Sequence, residues 1–77
     1  MNKDRRARIK DISVRLSEIQ GEIGSLAEEE NEAFDNLPEG LQSSDKGAQI
    51  EGNASELEDV AQDVMMAADN LNDIMAR

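Results

Sequence analysis

Two runs of apolar residues, spaced alternately by three and four, flank the only proline of the chain, and this arrangement restricts the fold more than any other feature. The first run is Ile9, Ile12, Leu16, Ile19, Ile23, Leu26, Glu30, Ala33 and Leu37. The second is Gly47, Ile50, Ala54, Leu57, Ala61, Val64, Ala68, Leu71 and Met75. Each is a heptad seam with a single face to bury, which predicts two amphipathic helices, one over about residues 3–36 and the other over about 45–76. Gly21 and Gly24 fall outside the first seam and soften that helix without blocking its packing.

Between the runs lies a bend at 37–44. Pro38 ends the first helix because proline disfavours helical geometry at the residue before it. Ser43 or Ser44 is the expected N-cap of the second helix. Asn53, with Glu56 three positions on and Gly52 before it, offers a competing start and predicts fraying or a kink there. When the chain is closed antiparallel, facing seam residues have numbers that add to the same total within one, such as Ile12 with Leu71, Ile19 with Val64 and Leu26 with Leu57. The expected fold is therefore all-α, an antiparallel, coiled-coil-like two-helix hairpin forming a single domain over 1–77. Ile19→Asp should then abolish cooperative unfolding, because it buries a charge opposite Val64.

Two helices cannot enclose a core, and the second carries apolar residues beyond its seam at Val60, Met65, Ala67 and Ile74. These four are the expected oligomer interface of a homodimeric four-helix bundle. Seventy-seven residues is also a size at which one core is marginal on its own.

Charge is unevenly spread. Residues 1–15 hold six basic and two acidic side chains, net +4, so the other 62 carry −14 of the total of −10. Residues 18–59 hold thirteen acids against Lys46 alone. Basic residues at the start of the first helix and Asp69 and Asp73 near the end of the second oppose each helix dipole, and antiparallel closure sets them side by side, where they are expected to compensate one another.

Composition excludes several classes. There is no cysteine or histidine, which removes disulfides, thiolate metal sites and the usual helical-bundle carboxylate–histidine sites. One phenylalanine is the whole aromatic content, too little for base stacking. No run approaches a membrane span, and no secretory signal is evident, so a cytoplasmic location is expected. Ser43-Ser44-Asp45-Lys46 matches the Ser-x-x-Lys pattern of some acyl-transfer enzymes, but its companion motifs are missing and helix capping accounts for the serines. No catalytic, cofactor-binding or metal residue is assigned, and the chain is read as a non-enzyme. Arg5, Arg6 and Arg8, within the basic segment, are the candidate contacts if nucleic acid is bound.

The run Glu-Ala-Phe-Asp-Asn-Leu-Pro-Glu-Gly-Leu-Gln-Ser-Ser-Asp-Lys-Gly at 32–47 resembles the signature of a group of small, uncharacterised phage and prophage helical-hairpin proteins. In these a charged helix leads into a Phe-Asp-Asn-Leu-Pro-Glu turn and then a second helix. Gly52-Asn53 departs from that pattern. The resemblance implies a phage-encoded accessory protein made in the bacterial host cytoplasm, with no catalytic residue. The leading expectation is a protein that binds a bacterial or phage protein, inhibiting a host defence or regulatory factor, with acidic DNA mimicry as one form. Its contacts would be Phe34, Leu37 and Leu41 as anchors, with Glu30, Glu32, Asp35 and Glu39 setting charge. The alternative is a nucleic-acid or assembly factor using the basic N-terminus.

Overall fold

The computed structural model describes residues 1–77 and contains helices and no strands: α1 (Lys3–Asp35), a single turn α2 (Glu39–Gln42) and α3 (Asp45–Ala76). α1 and α3 pack antiparallel along their lengths as a hairpin measuring 59 × 14 × 12 Å. That cross-section holds two helices side by side and nothing else. No helix is long and apolar enough to cross a membrane.

Side chains define both helix starts. Asn2 Oδ1 accepts the Arg5 N–H at 2.8 Å, and Ser44 Oγ accepts the Gly47 N–H at 3.3 Å, each satisfying a donor that the first turn leaves free. Of the two serines expected as caps, Ser44 serves. α3 runs unbroken through Gly52-Asn53, so the competing start there is not used. Burial of the α3 face on both sides of that point holds the helix together across a weak residue.

The chain reverses without any residue of positive φ. Two extended residues do the turning: Pro38 at ψ 145° and Ser44 at ψ 171°, with α2 between them. α2 was not foreseen. Pro38 starts it, its carbonyl accepting the Leu41 and Gln42 N–H groups at 2.8 and 3.1 Å. The Gln42 Nε2 then donates to the Phe34 and Leu37 carbonyls at 3.2 and 3.3 Å, tying α2 to the open end of α1. The Ser44 hydroxyl donates to the Leu41 carbonyl, which closes the bend.

The seam is made of small residues. All six buried positions are Ser13, Ala27, Gly47, Ala54, Ala61 and Ala68, and no large side chain is fully buried. Four of them recur every seventh residue along α3, so α1 can approach that helix closely along one line. On α3 the inward residues are those expected from the sequence. On α1 they are Ile9, Ser13, Leu16, Gln20, Ile23, Ala27, Glu30, Phe34 and Leu37. The expected row of Ile12, Ile19, Leu26 and Ala33 is instead turned outward, with Ile12 39%, Ile19 44% and Leu26 51% exposed.

α1 is thus rotated about its axis by part of a turn from the expected position. A single register relates all inward residues, from Ile9 level with Met75 to Leu37 level with Gly47, and the Ser13–Asn72 and Glu30–Asn53 hydrogen bonds lie within one residue of it. The expected effect of Ile19→Asp on the hairpin seam falls with this correction, since Ile19 faces solvent.

Gly47 is fixed by packing. A Cβ there would lie 2.7 Å from the Leu41 carbonyl oxygen and closer still to the Gln42 carbonyl, whereas one at Gly21 or Gly52 would meet nothing within 4 Å. Gly47→Ala should therefore cost about 1–3 kcal/mol by overpacking the bend. Gly21→Ala and Gly52→Ala should each add about 0.5–1 kcal/mol by raising helix propensity. Urea unfolding followed by far-UV circular dichroism checks both directions.

Candidate functional site

The hairpin has two unlike faces, one on each side of the seam. On one, Leu26, Glu29 and Glu30 of α1 line a groove with Asn53, Glu56, Leu57 and Val60 of α3. On the other, Gln20, Gly24, Ala27 and Glu28 line a groove with Glu58, Ala61, Gln62 and Met65. Residues seven apart share a helix face, so each groove identifies a whole row.

The first face is apolar along its centre. The Leu26 row contains Ile12, Ile19 and Ala33, and the Val60 row contains Ala67 and Ile74. Ile12, Ile19, Leu26 and Val60 are 39–51% exposed, Ala67 is exposed and Ile74 is half-buried. From Ile12 to Leu26 the strip runs about 21 Å at 1.5 Å per residue. Near the α1 start, Arg8, Asp11 and Arg15 flank Ile12 in a shallow groove, and Arg15 Nε pairs with Asp11 at 3.2 Å in the one salt bridge of the chain.

The second face is polar. Ser13 Oγ donates to Asn72 Oδ1 at 2.8 Å, and Asn31 Nδ2 donates to Glu58 Oε1 at 3.5 Å. Ser13 is buried at the seam edge, so its hydroxyl favours the one register that supplies a partner.

The expected interface residues do not share one surface. Val60, Ala67 and Ile74 lie on the apolar face, whereas Met65, 50% exposed, lies across the seam in the polar groove. Ile12, Ile19 and Leu26 lie on the same apolar face as Val60, Ala67 and Ile74, although their hydrophobicity assigned that row to the seam.

Residues expected to contact a partner at the bend divide by exposure. Glu32, Asp35, Glu39 and Leu41 are exposed, with Leu41 at 47%. Phe34 and Leu37 are half-buried and turned toward α3, and Glu30 is half-buried, its Oε2 accepting from Asn53 Nδ2 at 3.4 Å. The bend end of the hairpin therefore exposes three of the expected acids and one of the expected apolar anchors, Leu41.

The basic residues diverge as well. Arg6 lies on the row of Ser13 and reaches the C-terminus, its Nη2 donating to the Arg77 carbonyl at 3.3 Å. Arg5 shares the row of Ile12, and Arg8 shares that of Arg15. No ion pair joins these residues to the acids of α3, so the compensation expected between the helices is not made through direct contact. No three acidic side chains are placed to hold one metal ion.

Comparison with protein-family models, with curated proteins and with solved structures gives no match to this chain.

A double-mutant cycle of Ser13→Ala and Asn72→Ala should give a coupling of about 0.5–1.5 kcal/mol in urea unfolding, the net worth of one part-buried hydrogen bond. Additive effects would show that this bond does not help to hold the register.

Proposed function

We propose that the protein is a non-enzymatic, phage-encoded interaction protein of the bacterial cytoplasm, acting as a homodimeric four-helix bundle whose bends bind a bacterial or phage protein. The observation that carries the binding part is the tip of the hairpin. There Glu32 and Asp35 at the end of α1 and Glu39 and Leu41 in α2 are exposed, on either side of a bend tied down by Gln42 and Ser44. Acids held on an ordered backbone offer a fixed negative pattern to a basic surface, which steers association and selects partners. An inhibitor of a host defence or regulatory factor, occupying a site built for nucleic acid, fits this charge pattern.

The homodimer is supported by the open apolar strip and by the absence of any fully buried large side chain, since a hairpin of this size gains little stability alone. Phage origin rests on the resemblance of the bend. Direct nucleic-acid binding is the weaker reading, because Arg6 is turned away from Arg5 and Arg8.

Affinity capture from a bacterial lysate tests the role of the bend. The wild type should retain a protein that the Glu32→Lys, Asp35→Lys, Glu39→Lys triple variant loses at unchanged helicity and unchanged mass in solution. Equal retention by both would contradict the reading.

A further inference from the structure

The apolar strip has a definite outline and a definite rim, and together they select an occupant. Ile12, Ile19 and Leu26 of α1 run antiparallel to Val60, Ala67 and Ile74 of α3, with Ile19 and Ala67 at the middle of each row. Leu26 and Val60 line the same groove, and the register sets Val60, like Ile74 at the other end, two residues from the level of its α1 neighbour, about 3 Å at the helical rise. The strip therefore has nearly the same shape read from either end: large at both ends and centred between Ile19 and Ala67.

The rim beside it is charged in blocks. Along α1 the flanking row reads Arg8, Arg15, Glu22, Glu29, basic toward the termini and acidic toward the bend. Along α3 the flanking row includes Glu56, Asp63 and Arg77, again acidic toward the bend and basic at the terminus. Glu29 and Glu56 line the same groove, which places both acidic blocks at one end of one face.

We propose that this face is covered by a second copy of the chain, packed antiparallel about a two-fold axis that passes beside Ile19 and Ala67, so that the two bends lie at opposite ends of the bundle. The inference rests on the proposed homodimer and adds to it the face used and the direction of the partner. Such an axis sets α1 against α1 of the partner. Ile19 then meets its own copy and Ile12 meets Leu26. In the rim, Arg8 comes level with Glu29 and Arg15 with Glu22, each pair occurring twice, and on the α3 side Glu56 comes level with Arg77.

The other two-fold arrangement of the same faces is parallel, bend beside bend, and lays α1 over α3. It sets Glu22 against Asp63, Glu29 against Glu56 and Arg8 against Arg77, three like-charge pairs with only Arg15 facing a neutral residue, Asn70, and it brings both acidic bends together. Charge pattern thus separates two packings that the apolar strip alone allows.

Area agrees with a self-standing dimer. A copy laid along the 59 × 14 Å face covers a footprint on the order of 800 Å² on each partner, the size of a standard specific interface. The polar second face, with Ser13, Asn72, Asn31 and Glu58 engaged across the seam, remains in solvent.

The chain has no cysteine, and Gly40 is exposed, has no positive φ and has nothing within 4 Å of an added Cβ, so Gly40→Cys takes one spin label per chain at the bend without disturbing it. Dipolar spectroscopy on the labelled full chain should give a distance of about 60 Å, set by roughly twenty residues of helical rise on each side of the axis. A distance under about 25 Å would mean bends side by side and would overturn this inference while leaving the homodimer standing. A mass of one chain at every concentration would overturn both. As an independent arm, Arg15→Glu should weaken dimerisation about tenfold through its two rim contacts, and adding Glu22→Arg should restore it to within about threefold. Failure of the second change to rescue the first would also overturn the antiparallel packing.

Discussion

The close approach of α1 to Ala54, Ala61 and Ala68, continued at the bend by Gly47 beneath the Leu41 and Gln42 carbonyls, is the contact on which the rest of the structure depends. Small residues every seventh position let two backbones draw together along one line, and dispersion contacts accumulate along it. The same closeness leaves no depth for large side chains, none of which is fully buried. Ile9, Leu16, Ile23, Ile50, Leu57, Val64 and Leu71 flank that line half-buried. A hairpin so constructed specifies its register sharply while burying little apolar area, and much of its apolar surface stays exposed.

Much of this was legible in the sequence, for reasons that can be stated residue by residue. On α3 the apolar and small positions coincide with one face, so spacing alone identified the seam. On α1 they do not coincide. Ile12, Ile19 and Leu26 are more hydrophobic than Ser13, Gln20 and Ala27, and a reading weighted by hydrophobicity turns the wrong row inward. What decides instead is fit: against a partner helix lined with alanine, a row containing serine and alanine allows the shorter approach, and Ser13 finds Asn72 as a hydrogen-bond partner there. The expected seam had the right length and very nearly the right register, and differed by rotation about one axis.

The bend shows a similar division. Pro38 and Ser44 announced the end of one helix and the start of the next. The intervening turn α2 and the Gln42 bonds to the Phe34 and Leu37 carbonyls depend on tertiary proximity that no local pattern encodes. Gly47 was legible as a seam residue, but the reason it must be glycine, the carbonyls of Leu41 and Gln42 directly above it, was not. Of the candidate site, the acids and Leu41 stand where expected, while Phe34, Leu37 and Glu30 are drawn toward the seam.

Charge links the fold to its surroundings. Neither long helix has a basic residue in its last turn, and the one salt bridge lies within α1, so the isolated hairpin does little to balance its own blocks of charge. Those blocks are ordered along its length and become complementary when a second hairpin runs the other way.

The central claim, that a line of small residues sets the helix spacing, is tested most directly by enlarging one of them. Urea unfolding of Ala61→Leu should show a loss of about 2 kcal/mol or more, or no cooperative transition, whereas Ala48→Leu on the exposed side of α3 should stay within about 0.5 kcal/mol of the wild type. An Ala61→Leu chain as stable as the wild type, or more stable, would contradict the close-packed seam.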